Sequence, residues 1–495
     1  MQQDIKLILN NLVNNLMTNM TDSEQKHFCE LLKENFMHIL NNLPVNNLAV
    51  NNLPVNNLPV NNLPVNKQEK LYARTELLSD DFYEVLVNIL LSNDKFCEQE
   101  ENMMIVLKCL GEKYKIVYEY GNKQESVKVP ENFGKYYTKK SLKWLAQKYN
   151  SEMYENIIYK YLDKKINTPN NQINNEYLAK IIYSVYGHQY INCQNTWWKF
   201  DGIWKRQLAV NISTLVNLVL KNLILMNPNN VYNLQIANLN LNKVEEEFKY
   251  LCKDNKFENL LDTSGNTIRF ANGNYHYSLK KLLISLPEDY TSISTKYNFD
   301  LKDNKKMDYK ALKILRKIFP KEENYLKFKK LFREILEGKG GDNKLNIFVG
   351  NGGNGKTTMV KLLEILLGDY FMLCPESIFN RRQGVELSNA KGKNLLVVEE
   401  VDSKKINTSN LRSLISGESL LVKPLYRDSF VLNPKFKIIM TACDEKLIPP
   451  ITTRLVNKIL FESQFVKNPT KYNQYKGKQL NLVELRDSFL RLLLN

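Results

Sequence analysis

Residues 345–358 read LNIFVGNGGNGKTT. The apolar residues of LNIFV predict a short buried strand, and the pattern Gly350-x-x-x-x-Gly355-Lys356-Thr357 follows it directly. Glycines let consecutive backbone N–H groups curl around phosphate oxygens, while a lysine adds positive charge and a threonine at a helix N-terminus offers a hydroxyl to Mg²⁺. The stretch therefore predicts a phosphate-binding loop made of Gly350, Asn351, Gly352, Gly353, Asn354, Gly355, Lys356, Thr357 and Thr358.

The sequence after this loop alternates helical and strand patterns. Residues 359–367 have helical apolar spacing and end at Gly368, a favoured residue at helix C-termini. Two further apolar runs follow, LLVV at 395–398 and KFKIIMTA at 435–442, and each predicts a buried strand. This alternation predicts an α/β nucleotide-binding domain with a central parallel sheet.

Two acidic residues, Glu399 and Glu400, end the second strand. The carboxyl end of a buried parallel strand lies beside the phosphate loop, where ligands bind. We assign Glu400 as the base that polarises the attacking water and Glu399, with Thr357, as the Mg²⁺ side of the site. The two roles could be exchanged, and ordinary surface acids are the alternative.

The charge of the chain excludes an acidic, solvating protein. Its 495 residues include 69 Lys or Arg and 53 Asp or Glu, a net charge of +16. Only 12 of the 69 basic residues are Arg, and Lys, Asn, Ile and Tyr, which have A- and T-rich codons, are abundant. Genomic base composition and a basic surface for nucleic acid both explain the charge, because composition does not place charges on one face.

The cysteines and the apolar pattern indicate the compartment. Seven cysteines lie far apart and none forms a C-x-x-C pair, which disfavours a disulfide scaffold and a zinc ribbon. The first 20 residues lack the pattern of a signal peptide, and no run of about 18 apolar residues predicts a membrane span. We expect an intracellular, reducing location, in the cytoplasm or the nucleus, without membrane association.

The organisation of the chain is predicted from composition shifts. Five pentapeptides, NNLPV with one NNLAV, favour an extended, mobile spacer over a small solenoid, because Pro removes backbone donors. The cluster NTWWKFDGIWKRQ (195–207) predicts a strand, a turn and a strand, either as a hairpin core or as a platform that stacks on bases. We divide the chain into a helical arm (1–40), the repeat linker (41–66), a helical module (67–165), an α+β domain (166–310), the ATPase core (311–465) and a C-terminal basic segment with a helix (466–495).

Four stretches within residues 345–463 resemble the superfamily 3 helicases, in particular the poxvirus-type primase-helicases of large DNA viruses and related phages and plasmids. They are GNGGNGKTT, AKGKNLLVVEE, LRSLISGESLLVKPLYRDSFVLNPKFKIIMTA and TTRLVNKILFES. The tryptophan cluster is similar to the domain that precedes the helicase core in that family. The resemblance implies an AAA+-like ATPase that uses ATP and Mg²⁺.

The resemblance also implies roles for three basic residues. The stretch Ser413–Phe430 is similar to the family's DNA-contacting hairpin in the central pore of a ring, which makes Lys423 and Arg427 candidates for phosphate contacts. Ordinary exposed charges are the alternative. Arg454 lies seven residues before Phe461, where the family has an arginine that reaches a neighbouring subunit's ATP. A structural ion pair is the alternative for Arg454.

The sequence departs from the family at the end of the third strand. Where the family usually has an Asn that senses the γ-phosphate, this chain has Thr441-Ala442-Cys443-Asp444. Either Thr441 or Asp444 takes the sensing role, or hydrolysis is slow.

Three functions are weighed. The first is an ATP-driven ring, a homo-hexamer, that translocates on single-stranded or forked DNA during replication of a viral or mobile-element genome. A small-molecule or nucleoside kinase would share the phosphate loop but would need no arginine directed at a neighbour. A nucleic-acid scaffold with a degenerate ATPase is disfavoured by the intact Lys356, Thr357, Glu399 and Glu400.

Relatives of such helicases often carry an upstream primase domain. Primer synthesis needs clustered carboxylates, typically Asp-x-Asp, on a fold of about 150 to 200 residues. The chain has no Asp-x-Asp upstream of the tryptophan cluster, and the adjacent pair Asp80-Asp81 suits a helix N-terminus better than a metal site. Residues 67–165 are faintly similar to the helical module that follows the primase in that family, so we expect any primase to be a separate partner or to be lost by truncation.

Overall fold

The computed structural model describes the chain in segments that divide into two units, 1–57 with 110–128 and 58–109 with 129–495. The described residues, apart from a few single positions, are 48–52, 78–110, 114–120, 123–126, 137–166, 173–226, 239–338, 344–379, 385–400, 406–425, 429–477 and 480–494.

The first unit contains a three-stranded antiparallel sheet. Its strands are β1 (Leu48–Asn52), β2 (Tyr114–Tyr120) and β3 (Lys123–Ser126), in that order across the sheet. Strand β1 lies in the pentapeptide region and pairs Leu48 with Tyr118. It includes Ala49, which replaces the Pro of the other four copies, and a non-Pro residue keeps the N–H that a ladder needs. The arm and the rest of the repeat lie outside the described residues, so the spacer stays a prediction.

The described residues of the region predicted as a helical module form five helices. Strands β2 and β3 come from the same stretch of sequence, and the sequence pattern did not indicate them. Asp80 and Asp81 lie in the first turn of the first helix. The buried side chains of this helix include Phe82, Leu86 and Leu90. The five helices are α1 (Asp80–Leu91), α2 (Asp94–Cys97), α3 (Glu100–Leu110), α4 (Lys139–Tyr149) and α5 (Ser151–Ile166).

An α+β region follows, with two small antiparallel sheets of three strands each. Its elements are α6 (Asn175–Tyr186), β4 (Tyr190–Cys193), β5 (Thr196–Phe200), β6 (Trp204–Gln207), α7 (Ile212–Met226), α8 (Leu241–Leu251), α9 (Phe257–Leu260), β7 (Thr267–Phe270), β8 (Gly273–His276) and β9 (Lys281–Leu283).

The tryptophan cluster forms the predicted strand, turn and strand. Phe200 pairs with Trp204 across the β5–β6 turn, in which Gly202 has a φ of +71°. Trp204 is only 1% exposed, and its Nε1–H donates to the Pro287 carbonyl at 2.8 Å. Trp197 is buried as well. The cluster is therefore a hairpin core, and these two rings are not available to stack on bases.

The C-terminal region is an α/β domain. The boundary drawn after residue 310 falls inside its first helix, and residues after 465 contribute a helix to its core. Its elements are α10 (Lys305–Ile318), α11 (Glu322–Leu336), β10 (Leu345–Val349), α12 (Lys356–Leu367), β11 (Phe371–Leu373), α13 (Val385–Ser388), β12 (Leu395–Val398), α14 (Thr408–Ile415), β13 (Leu420–Val422), β14 (Phe430–Leu432), β15 (Lys437–Ala442), β16 (Val456–Leu460), β17 (Gln464–Val466), β18 (Gln474–Lys476) and α15 (Arg486–Leu494).

The centre of this domain is a five-stranded sheet in the order β11-β12-β15-β10-β16, and every pairing in it is parallel. All five residues of β10 are buried. Phe348 joins an apolar cluster with α10, α11, α12 and α15, whereas Ile347 and Val349 join a second cluster with α13 and α14. Both faces of the sheet are thus covered, which explains why β12 is continuously apolar and why β10 is apolar at every position except Asn346.

The tryptophan core can be tested with a matched pair of substitutions. Trp204→Phe should lower the free energy of unfolding by about 2–3 kcal/mol, because it leaves a cavity and an unpaired Pro287 carbonyl in a buried site. Trp198→Phe is the control, since Trp198 is half-buried and its Nε1–H reaches the Glu258 carboxylate at 3.2 Å. Urea unfolding of both variants measures the difference, and equal losses would contradict the core assignment.

Candidate functional site

The carboxyl edge of the parallel sheet brings the predicted site residues together. From β10 the chain passes through α12 to β11, at the far edge of the sheet. It then returns through β12 to β15, which pairs with β10. Strand β16 then joins β10 on its other side. The strand order therefore reverses at β10, and ligands of open α/β sheets bind at such a switch point.

The glycine loop, residues 350–355, is held by backbone contacts from later parts of the chain. The Gly350 N–H donates to the Ala442 carbonyl at 3.2 Å, and the Phe465 N–H donates to the Gly353 carbonyl at 2.7 Å. Gly353 and Gly355 have φ values of +72° and +94°, which other residues adopt only with strain. Ala442 and Phe465 thus fix the shape of the loop through their backbone groups.

Asn354 braces the loop from inside. Its side chain is 3% exposed, and its Nδ2–H donates to the Phe461 carbonyl at 3.2 Å. The ammonium of Lys356 donates to the Asn354 Oδ1 at 3.2 Å and to the Gly350 carbonyl. The Lys356 side chain therefore folds back over the glycine loop.

Electrostatics at Lys356 follow from this half-buried position. Burial lowers the pKa of the Lys356 ammonium from its usual value, and the nearby Cys443 and Glu400 act in the opposite direction. A bound anion would therefore stabilise the charged form of Lys356, because an opposite charge offsets the loss of hydration.

Helix α12 begins directly at the loop. Gly355 is its N-cap residue and offers no side chain to the first backbone N–H groups. Thr357 is exposed in the first turn. The Lys356 N–H donates to the Asn354 Oδ1 at 3.5 Å. Backbone N–H groups at a helix N-terminus, together with the helix dipole, make such an end a site for anions, phosphate above all.

The acidic pair lies at the same edge as the loop. Glu399 and Glu400 are both exposed and follow β12 directly. Glu400 has a φ of +52°, in the left-handed region, and its backbone N–H donates to the Thr441 Oγ1 at 3.0 Å. Thr441 is buried on β15, opposite Phe348 of β10. The strained turn at Glu400 is thus tied to the strand that lies between β12 and the glycine loop.

The oxygen donors at this edge fit Mg²⁺ only together with nucleotide phosphates. The Thr357 hydroxyl and the Glu399 carboxylate are hard oxygen ligands, and Mg²⁺ commonly takes one or two carboxylates, phosphates and several waters. Across the described residues, no three His, Cys, Asp or Glu side chains form a metal-binding group.

Arg454 does not join this cluster. It is exposed in a short 3₁₀ turn, Thr453–Leu455, just before β16. Because Val456 pairs with Leu345 in parallel register, Arg454 lies at the amino edge of the sheet. The glycine loop of the same chain lies at the other edge, roughly 16 Å of strand away. Within the described part of the chain Arg454 has no ion-pair partner, so the structural ion pair finds no support there.

The stretch predicted to form a hairpin contains two strands, β13 and β14, which pair antiparallel with Val422 opposite Phe430. Lys423 is exposed directly after β13, at the base of the connecting loop. Arg427 lies outside the described residues. Three apolar side chains of the hairpin are more than half exposed, namely Leu421, Leu425 and Val431.

Sequence patterns did not identify the residues that hold the loop from outside. These are Phe461 and Phe465, which act through backbone groups, and Ile318, whose Cγ1 would lie 3.4 Å from a Cβ at Gly355. No sequence signal marks the contacts of Phe461 and Phe465, because any residue type supplies a backbone carbonyl or N–H.

Comparisons with known proteins show distant similarity to viral proteins. The model of DUF5906, a family of unknown function, matches residues 348–454. A putative helicase of Acanthamoeba polyphaga mimivirus is 25% identical over 48% of this chain and 26% of its own length. Putative helicases of Invertebrate iridescent virus 3 and Invertebrate iridescent virus 6 are 27% and 29% identical over 46% and 41% of this chain. The chain spans only about a quarter of the length of these relatives: 26%, 26% and 23%.

A solved structure, the apo C-terminal region of NrS-1, is 13% identical and matches 65% of this chain and 69% of its own with a TM-score of 0.38. Among the described helices, none combines the length and the apolar character that a membrane span requires.

The loop geometry predicts different effects for two neighbouring glycines. A Cβ at Gly350 would lie 2.0 Å from the Asn354 Nδ2 and 2.6 Å from the Phe461 carbonyl oxygen, whereas a Cβ at Gly352 would meet nothing within 4 Å. Gly350→Ala should therefore lower the free energy of unfolding by about 1–3 kcal/mol. Gly352→Ala should change it by less than about 0.5 kcal/mol. Thermal unfolding of the two variants checks this, and similar stabilities would show that the loop has another shape.

Proposed function

We propose that the chain is an ATP-driven DNA helicase of the superfamily 3 type that works as a ring on single-stranded DNA. The observation that carries this proposal is the meeting of a glycine loop, a helix N-terminus, Lys356 and the acids Glu399 and Glu400 at the switch point of a parallel sheet. The distant similarity to putative helicases of large DNA viruses supports it.

The glycine loop and the first turn of α12 bind the phosphates of ATP. Backbone N–H groups of the loop point at phosphate oxygens, and Lys356 exchanges its contact with the Gly350 carbonyl for the β- and γ-phosphates. Burial of the lysine favours this exchange, because the phosphates carry the negative charge that a neutral loop carbonyl lacks.

Glu400 polarises the attacking water, while Thr357 and Glu399 would hold Mg²⁺. When bound, Mg²⁺ neutralises charge on the β- and γ-phosphates. Thr441 takes the sensor position. Its Oγ1 accepts the Glu400 N–H, and its own O–H remains a donor toward the edge where the γ-phosphate would lie.

Arg454 acts on the nucleotide of a neighbouring subunit. Its place at the amino edge of the sheet keeps it away from the glycine loop of its own chain, while its exposed guanidinium is accessible to another protomer. A guanidinium stabilises charge on the transferring phosphoryl group. This position favours the ring over the kinase alternative, because a kinase arginine must reach the nucleotide of its own chain.

DNA passes the β13–β14 hairpin, with Lys423 and Arg427 on the phosphates. The ring is a homo-hexamer that replicates a viral or mobile-element genome inside the host cell, on single-stranded or forked DNA. Any primase of the system is a separate protein or was lost by truncation.

The nucleotide site is tested by two substitutions with different expected defects. Lys356→Ala should remove most ATP hydrolysis and weaken ATP binding, while the fold remains intact, because it deletes one charge and no core atoms. Glu400→Gln should keep ATP affinity and lower turnover by about 100-fold or more. Fluorescent-nucleotide titration and phosphate release measure the two effects.

Unchanged turnover in Lys356→Ala would contradict the phosphate-loop assignment. Loss of ATP affinity with normal residual turnover in Glu400→Gln would show that the base lies elsewhere.

The ring arrangement is tested by mixing two inactive variants. Arg454→Ala retains a complete loop and lacks the arginine, whereas Lys356→Ala retains the arginine and lacks the loop lysine. Mixed rings should regain part of the ATPase activity, because one subunit supplies the site and its neighbour the guanidinium. Activity per protomer of the wild type should also fall on dilution. A mixture with no activity at any ratio would contradict action across subunits.

A further inference from the structure

Helix α10 carries a stripe of basic residues on its exposed side. At 3.6 residues per turn, seven of its positions fall within an arc of about 140°. Six of them are basic and one is aromatic, and no acid of the helix falls within the arc. The seven are Lys305, Lys306, Tyr309, Lys310, Lys313, Arg316 and Lys317.

The charges of the stripe are mostly unneutralised by the described part of the protein. Lys310 faces Glu484 at 3.5 Å with both side chains about half exposed, and Arg316 is paired with Glu322. Lys305, Lys306 and Lys313 are exposed and have no ion-pair partner among the described residues. Four of the six basic residues, these three and Lys317, thus have no carboxylate partner within the described part of the chain, so the stripe keeps a positive potential.

The opposite side of α10 explains why the stripe is fixed in place. Ala311, Leu315 and Ile318 are buried in the apolar cluster that covers β10. The single acid of the helix, Asp308, lies off the stripe and pairs with the Arg491 guanidinium at 2.7 Å. The helix therefore presents its lysines from a rigid surface about 18 Å long between Lys305 and Lys317.

The uneven distribution of charge distinguishes this helix from a general excess of lysine. The neighbouring helix α11 carries Lys327, Lys329, Lys330 and Arg333 together with three acids, and Lys327 pairs with Glu323 at 2.6 Å. Helix α10 carries six basic residues and one acid. Base composition alone would enrich both helices in lysine, but it would not remove the acids from one exposed face.

Tyr309 adds a second kind of contact. Its side chain is 67% exposed in the middle of the stripe, between Lys305 and Lys313, which lie one turn to either side. An aromatic ring among lysines suits unpaired bases, which stack on it while the lysines hold the phosphates. The backbone of a duplex offers no free base face to such a ring.

We propose that this stripe binds single-stranded nucleic acid through its phosphates, with Tyr309 stacking on a base. The stripe is a second contact surface, separate from the β13–β14 hairpin. The choice of DNA as the nucleic acid rests on the proposed function. The C-terminal end of the stripe adjoins the nucleotide site, because Ile318 would lie 3.4 Å from a Cβ at Gly355 of the glycine loop.

The test compares two triple variants of the full chain without nucleotide. The stripe variant carries Lys305→Ala, Lys306→Ala and Lys313→Ala, and the control carries Lys205→Ala, Lys221→Ala and Lys243→Ala, three exposed lysines of the α+β region. Affinity for a labelled 30-nucleotide oligo-dT is measured from 50 to 200 mM salt. The stripe variant should bind about tenfold or more weakly at low salt, with a log–log salt slope shallower by about 2. The control should match the wild type.

A single substitution tests the stacking contact. Tyr309→Ala should weaken oligo-dT binding about fivefold or more and leave binding of heparin, a polyanion without bases, unchanged. A 30-base-pair duplex should bind more weakly than oligo-dT to the wild type.

Equal affinities of the stripe and control variants would overturn the proposal, as would a wild type that prefers the duplex or a Tyr309→Ala variant that binds oligo-dT normally. If the wild type hydrolyses ATP while the stripe variant binds DNA like the control, only the stripe assignment fails. If the stripe variant loses DNA binding but the wild type hydrolyses no ATP, the stripe stands and the proposed function fails.

Discussion

The position of Gly350 at the end of a buried parallel strand is the constraint on which the candidate site depends. Strand β10 is covered on both faces and paired on both edges, so the direction in which the chain leaves it is fixed. The Gly350 N–H is bonded to the Ala442 carbonyl, and a Cβ at Gly350 would collide with the Asn354 side chain. The glycine loop, the start of α12 and the direction of Lys356 all follow from this exit.

The same sheet places the remaining groups relative to the loop. Strand β15 lies between β10 and β12, and its buried Thr441 ties down the left-handed turn at Glu400. Strand β15 thereby holds both groups with successive residues: the Ala442 carbonyl accepts from the Gly350 N–H, and the Thr441 Oγ1 accepts from the Glu400 N–H. Strand β16 extends the sheet on the other side and sets Arg454 at the opposite edge. The sheet therefore separates Arg454 from the glycine loop of its own chain.

Much of the C-terminal α/β domain was predictable because its signals are local. A strand, the six positions of the glycine loop and an apolar helix are consecutive in LNIFVGNGGNGKTT and the residues after it, and the two later strands are mostly apolar runs. The tryptophan hairpin followed from its turn glycine. The braces of the loop did not, because Phe461 and Phe465 act through backbone atoms more than 100 residues away. The basic stripe on α10 was not predictable from composition either. Composition gives the number of lysines, but the helix and its buried side determine which of them lie together on one exposed face.

We propose that this chain couples hydrolysis of ATP at the glycine loop to binding of single-stranded DNA. The most direct measurement is phosphate release from ATP and Mg²⁺ by the purified wild type, with and without a 30-nucleotide oligo-dT, at low salt and at a protein concentration that allows assembly. We predict a basal ATPase that the oligonucleotide stimulates severalfold and that duplex DNA of equal length stimulates less. An ATPase rate that single-stranded DNA leaves unchanged, together with no detectable binding of that DNA, would contradict the claim.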